Sequence, residues 1–327
     1  MKAVLQSSLN LVEKSEFEGS IFYKKHYLSS FNFTSSSLAY YQTYFGEDFI
    51  DKSILVYDDS APVLAMVAYA AKDKLTHFGG PITIIEGVFE SVEKKQQAYR
   101  LLIQKLNELV KKDTIEEMYF YANEFISAEY FSKIEDIEVE FSSVIDLNIS
   151  EDLIKMNIRK SYKSLVNWGK NNLELDIIKK DNASLEKFNT FRDFHIKVAG
   201  QRTRSDETWQ KQYEAILLDE AFSVMGYLQG QLVSCSYIML GKEIAYYGVG
   251  VYDRQLMEQN LPIAHYNILT SINLAKSWGC NKFDLGFINN GNQNAKETNI
   301  FKFKAGFSNQ LILKNKFIVK FPKGSEQ

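Results

Sequence analysis

From Leu261 to Phe307 the chain reads as helix, tight turn, strand, glycine- and asparagine-rich loop and a lysine-bearing aromatic run, an order few folds accommodate. Leu261-Pro262-Ile263 opens the helix with proline in its first turn, where a missing N–H costs nothing. Ile268, Ile272 and Ala275 follow at helical spacing, and Leu269 and Trp278 widen the stripe. Gly279 supplies the left-handed residue that ends the helix. Lys282-Phe283-Asp284-Leu285-Gly286 reads as a short strand, Gly291-Asn292-Gln293-Asn294 as loop, and Ile300–Phe307 as a further strand. In that strand Lys302 and Lys304 face away from the aromatic side of Phe303 and Phe307. Asp284 and Lys304 then share one edge of a sheet, as the rim of a ligand site would.

The rest of the chain supplies enough elements for two domains. Its 327 residues, 45% hydrophobic and 24% charged, are long enough for two cores and too apolar for wholesale disorder. Strands are expected near Ser53–Tyr57, Val63–Ala70, Met118–Ala122 and Val144–Leu147, with Glu135–Glu140 as loop and edge strand. Leu101, Leu102, Leu106 and Leu109 give a helix over 91–112 one apolar face. Beyond it a basic helix (150–171), a strand (173–178) and helices over 184–200 and 207–218 are expected. Strands over 221–229, 232–240 and 244–251 follow them. Strand, strand, strand, helix, strand is an α/β (α+β) order, and each half fits it loosely. The expected domains are 1–149 and 150–327, cut where acidic composition turns basic near Asn148–Asp152.

That turn in charge is abrupt. Asp113 to Asp152 holds twelve acids and one base, Lys133. Leu153–Leu173 then carries Lys155, Arg159, Lys160, Lys163 and Lys170 with no acid, and Thr298–Lys323 carries six lysines with none. Such runs are often solvated faces; two in one half tilt the reading towards a phosphate-bearing ligand. Cys235 and Cys280 make no framework and no metal motif, so no metal is expected. No run approaches the ~20 apolar residues of a membrane span, and charge interrupts the first residues too often for a secretory signal. A cytoplasmic protein is the plain expectation, with peripheral membrane contact left open. No phosphate-binding loop, dinucleotide fingerprint or Ser-His-Asp spacing is present, and nothing points to DNA.

The residues Ala275-Lys276-Ser277-Trp278-Gly279, Phe283-Asp284-Leu285-Gly286 and Phe303-Lys304-Ala305-Gly306-Phe307 carry a resemblance. With Arg159-Lys160-Ser161-Tyr162-Lys163 and the turn Gly79-Gly80-Pro81, they resemble the Fem family of peptidoglycan-bridge aminoacyl transferases, FemAB-like members of the acetyltransferase (GNAT) superfamily. The resemblance implies two tandem GNAT-like domains, each a mixed twisted sheet flanked by helices, with the active site in the second. It implies an N-acyltransferase moving an aminoacyl or small acyl group onto an amine of a nucleotide- or lipid-linked cell-envelope precursor. The donor would be a co-substrate, aminoacyl-tRNA or acyl-CoA, with no resident cofactor. Two alternatives stand beside it: an acyl-CoA-dependent N-acetyltransferase of an amino sugar in surface-polysaccharide synthesis, and a non-catalytic scaffold that binds polyanions.

Within that frame Lys304 faces the cleft as a cation for an oxyanion or donor phosphate, and Asp284 accepts or orients the amine proton. Strand Ile244–Val251 would supply backbone N–H groups, with Gly248 and Gly250 allowing close approach to a ligand, and Tyr247 beside them joins the catalytic candidates. His195 is a candidate base, while Arg202, Arg204, Arg159 and Lys163 are candidate anion binders. Each has an ordinary alternative: surface lysine, turn-capping Asp, bulged strand, packed histidine. Between Asp253 and Leu261 there is no glycine, so the loop that cradles the coenzyme A pyrophosphate in many acetyltransferases is missing.

Overall fold

The computed structural model describes residues 30–58, 61–122, 124–288, 295–308 and 310–321. In chain order its elements begin with α1 (Ser35–Phe45), β1 (Phe49–Asp51), β2 (Ile54–Asp58), β3 (Ala61–Val67), β4 (Tyr69–Ala71) and β5 (Lys74–Thr76). Then come β6 (Thr83–Glu86), α2 (Val92–Lys112), β7 (Glu117–Tyr121), α3 (Glu124–Tyr130) and β8 (Ile134–Asp146). They continue with α4 (Glu151–Asn157), α5 (Lys160–Asn172), β9 (Leu173–Ile178), α6 (Leu185–Ala199), α7 (Asp206–Leu217), β10 (Ala221–Leu228) and β11 (Gln231–Leu240). Last are β12 (Ile244–Tyr252), α8 (Arg254–Glu258), α9 (His265–Ser277), β13 (Lys282–Ile288), α10 (Ala295–Ala305) and β14 (Gln310–Lys320).

Two compact units emerge: the described residues of Phe45–Glu140 and Lys314–Gln327 form one, those of Leu28–Tyr44 and Phe141–Leu313 the other. This division differs from a single cut near Asn148–Asp152, because an early segment joins the second unit and the last strand's end joins the first. In the first unit α2 starts on the Ser91 cap and buries Leu102, Leu106 and Leu109 of the expected stripe together with Ala98, while Leu101 packs against the core only partly buried. Antiparallel β2, β3 and β6 make one sheet, while β5 pairs parallel with β7 and β7 antiparallel with β14. The acidic and basic runs meet here: Lys316 pairs with Glu138 and Glu140, and Lys320 with Glu135 at 3.1 Å. Those lysines of the C-terminal run therefore answer acids of β8 and are not held free for phosphate; Lys323 lies outside the described residues. The acidic segment is also not a loop and two strands but one strand, Ile134–Asp146.

In the second unit antiparallel β9, β10, β11 and β12 are followed by β13, parallel to β12, with the end of β8 antiparallel on its far side. A parallel neighbour demands a crossover, and α9 provides it. Ile268, Leu269, Ile272 and Ala275 bury the crossover against Phe222, Val224, Ile238 and Phe283 on one sheet face. Asn267 is buried there and satisfied: its Nδ2 donates to Val224 O at 2.9 Å and its Oδ1 accepts from Ser236 Oγ at 2.6 Å. On the other face α6 and α7 bring Phe188, Phe191, Phe194 and Trp209 onto Met225, Cys235, Tyr237 and Val251. The early segment is fastened to this unit by Glu220, whose carboxylate caps α1, accepting from the Ser36 N–H at 3.0 Å and from the Ser36 hydroxyl.

Local readings over α6, β9 to β12 and Gly279 (φ +89) hold closely, and three others change. The basic helix is two, α4 and α5, broken at Ile158, whose backbone is extended and whose side chain is buried. Helix α9 begins at His265, after the Leu261-Pro262-Ile263 turn. Most consequentially, Ile300–Phe307 is not a strand: α10 runs through Ala305, because Phe303 and Phe307, four apart, pack together on the core beside Tyr162. The expected loop Gly291–Asn294 lies outside the described residues. Among the described residues no helix is long and apolar enough to cross a membrane.

Candidate active site

Alternation along β13 decides which chemistry reaches which face. Phe283 and Leu285 enter the α9 core, so Asp284 between them takes the opposite face. On β12, Ala245 enters the same core and Tyr246 turns away from it, in direct register with Asp284. Tyr246 and Asp284 are therefore neighbours on the face that α6 and α7 cover.

The carboxylate of Asp284 is held from two sides: the Gly286 N–H donates to Oδ1 at 2.7 Å and Ser142 Oγ at 3.1 Å. Gly286 adopts φ +80, and a Cβ there would stand 2.9 Å from the Tyr246 hydroxyl, so only glycine fits both the turn and the phenol above it. Phe31 stacks on the Tyr246 ring at 4.5 Å. Burial, and then the Asp284 charge, push the Tyr246 phenol up to about 12, so it holds its proton at neutral pH. Lys304, from the last turn of α10, donates to Phe287 O at 3.2 Å. Burial lowers its pKa while the Asp284 charge opposes that shift, which places ammonium and carboxylate within electrostatic reach. Carboxylate, phenol and ammonium thus converge at the end of β13.

A second cluster occupies the same face. Arg204 lies 4.6 Å over the Trp209 ring and donates to Gln212 Oε1 at 3.1 Å. His195 meets the same indole edge-on at 5.1 Å, and its buried Nδ1 has no partner among the described residues. Burial and the Arg204 charge hold His195 down at about 4, so it is neutral and a weak base at pH 7. Burial raises the Tyr41 phenol of α1, with smaller contributions from Tyr40, Tyr246 and Arg204, so it lies within electrostatic reach of both clusters.

The remaining candidates are dispersed. Arg202 is exposed and tied to Asp206 at 2.6 Å. Arg159 and Lys163 are exposed at the start of α5, where the Arg159 guanidinium sits 5.2 Å over Tyr162. Tyr247 points to the face opposite Asp284, and its phenol bonds that of Tyr252. Gly250 makes room for that phenol, since a Cβ would collide with it, and a Cβ on Gly248 would stand 3.0 Å from Met239 Sδ. In this structure the two glycines accommodate side chains of the sheet. Sequence reasoning missed Tyr246, Ser142 and Phe31. The core position of Ala245 was the available signal, since it sends the next residue to the Asp284 face. Among the described residues no group of three or more His, Cys, Asp or Glu side chains is placed to hold a metal ion.

The N-terminus of α9, where an acetyltransferase would bind pyrophosphate, is packed. His265 in its first turn lies edge-on to Tyr162 at 4.5 Å and Phe303 at 5.3 Å, and against Phe307 at 5.9 Å.

The sequence matches no protein-family model and no curated protein. Solved structures do match. The crystal structure of FemX superposes with TM-score 0.67 at 12% identity, covering 95% of this chain and 96% of that one. A tandem GNAT protein from the clavulanic acid biosynthesis pathway gives 0.54 at 11%, covering 86% and 85%. The C-terminal domain of a protein from Agrobacterium fabrum, assigned as a lysylphosphatidylglycerol synthetase, gives 0.54 at 9%, covering 89% and 87%. The likeness is one of fold: this chain has the mixed-sheet architecture of two tandem GNAT-like domains.

Proposed function

We propose that this chain is an N-acyltransferase whose site is the Asp284–Tyr246–Lys304 convergence. It would transfer an aminoacyl or small acyl group onto an amine of a phosphate-bearing cell-envelope precursor. The observation that carries the reading is the placing of a bound carboxylate, a protonated phenol and a partly desolvated ammonium at one strand end, on a fold shared with FemX and a tandem GNAT protein. In the reaction the acceptor nitrogen attacks the acyl carbon and a C–N bond forms. Asp284 takes the amine proton, and the Lys304 ammonium faces the negative charge on the acyl oxygen. The bond from the acyl carbon to the donor's oxygen or sulfur then breaks, and the Tyr246 phenol gives its proton to that leaving atom. Asp284 returns the amine proton to solvent and the phenol is reprotonated, so the site is unchanged after each turnover.

An aminoacyl-tRNA donor is favoured over acyl-CoA because aromatic rings pack around the start of α9 and no glycine precedes it. Arg204, whose guanidinium is fixed by Trp209 and Gln212, would hold a phosphate or carboxylate of the acceptor. A ligand that binds only the native state raises its melting temperature, so thermal shift with tRNA, UDP-N-acetylglucosamine and coenzyme A tests the reading. Stabilisation by tRNA or the UDP-sugar with none by coenzyme A is expected. Stabilisation by coenzyme A alone would replace the reading with an acyl-CoA-dependent enzyme.

A further inference from the structure

A helix ends with four carbonyls that have no partner inside it, and at a surface helix water usually takes them. At the end of α10 those carbonyls belong to Lys302, Phe303, Lys304 and Ala305; the N–H groups of Gly306 and Phe307 reach Phe303 O at 3.2 Å and Lys304 O at 3.1 Å, and side chains of other elements reach three of the four. The Tyr162 hydroxyl reaches Lys302 O at 3.3 Å and Phe303 O at 3.2 Å, one proton shared between two acceptors. Ser143 Oγ donates to Lys304 O at 3.3 Å. One residue beyond the helix, the Arg159 N–H donates to Gly306 O at 2.8 Å.

Tyr162 cannot shift easily beneath this turn. Phe307 lies 5.1 Å from its ring, His265 4.5 Å, and the Arg159 guanidinium 5.2 Å over it. A Cβ on Gly306 would collide with the same ring, so glycine at that position lets the phenol come under the helix end. The turn so held is the one that carries Lys304.

We propose that Tyr162 is the positioning residue for Lys304: its phenol sets the last turn of α10 so that the ammonium stands by Phe287 O and Asp284. The inference rests on the reading of Lys304 as functional, but its test does not require turnover. In the full chain, the Lys304 amine is titrated by competitive labelling with acetic anhydride across pH, quantified on the peptide by mass spectrometry. Tyr162→Phe keeps the ring and removes the two hydrogen bonds. Its Lys304 titration should move towards that of an ordinary lysine, with labelling at fixed pH changing about threefold or more as the fraction of free amine changes. Ser143→Ala, which removes one bond, should move it the same way by less, and it decides the matter if Tyr162→Phe fails to fold. Phe303→Leu, a packing change that keeps the phenol, should lower the melting temperature and leave the titration in place. An unchanged Lys304 titration in folded Tyr162→Phe, or an equal shift in Phe303→Leu, overturns the proposal. If the titration moves while Lys304→Ala retains full transfer activity, Tyr162 positions a lysine that the reaction does not use, and the failure lies with the catalytic reading alone.

Discussion

Replacing Lys304 by alanine separates a catalytic lysine from a structural one, and the structure sets the two magnitudes far apart. Among the described residues the side chain donates one hydrogen bond, to Phe287 O, from a half-buried position. Its loss removes that bond but also removes the cost of keeping a charge partly out of water. Asp284 still accepts from Ser142 and the Gly286 N–H. Stability should therefore change by less than about 1 kcal/mol, a shift of roughly 3 °C or less in melting temperature. A fixed cation facing an oxyanion contributes about 3 kcal/mol to the barrier, so single-turnover transfer should slow on the order of a hundredfold. The lowered pKa adds a signature. Lys304 loses its proton at lower pH than an ordinary lysine, so the wild-type rate should fall on the alkaline side earlier than such a lysine would dictate. Arginine at 304 should keep the alkaline rate better than alanine does. A Lys304→Ala protein that transfers at the wild-type rate, or melts many degrees lower, would refute this reasoning.

Neighbouring tyrosines should behave oppositely. Tyr246→Phe should slow transfer about tenfold or more without a change in melting, whereas Tyr247→Phe should cost about 1 kcal/mol of stability and leave the rate, read by paired kinetics and calorimetry. Gly306→Ala should destabilise by about 1–3 kcal/mol in urea unfolding, since the methyl meets the Tyr162 ring. His195 and His265 are both held down at about 4 by burial, so the unfolded chain binds more protons between about 6.5 and 4. Their contribution is complete above about pH 6.5 and declines as pH falls towards 4, by up to about 3 kcal/mol for the more buried His265 and by less for half-exposed His195, where solvent screens the charge; denaturation midpoints flat across that window would contradict it.

How much of this was legible in the chain depends on whether the deciding partner is local. Helix α6 was readable because Ser184 caps it and Gly200, at φ +72, ends it. The run Phe301-Lys302-Phe303-Lys304 misled because it alternates like a strand, whereas the four-residue step from Phe303 to Phe307 fits a helix, and packing with Tyr162 decides between them. The basic C-terminal run looked like an anion site because its acidic partners on β8 stand far away in sequence. Tyr247 and Tyr246 differ by one residue, which on a strand is a difference of face, and it is Tyr246 that stands in register with Asp284. Asp284, Lys304, His195 and Arg204 were visible as residue types near turns and strand ends. That the first two would come within electrostatic reach of each other, and the last two share Trp209, required the tertiary fold.

Transfer itself gives the most direct test. Purified protein is incubated with an amine-bearing UDP-linked precursor and, in parallel, with aminoacyl-tRNA or acetyl-CoA, and the acceptor is weighed by mass spectrometry. The account predicts an acceptor heavier by one aminoacyl residue in the tRNA arm, with the gain abolished in Asp284→Asn and strongly reduced in Lys304→Ala. Transfer that proceeds undiminished in both variants would contradict the assignment of the site to the end of β13.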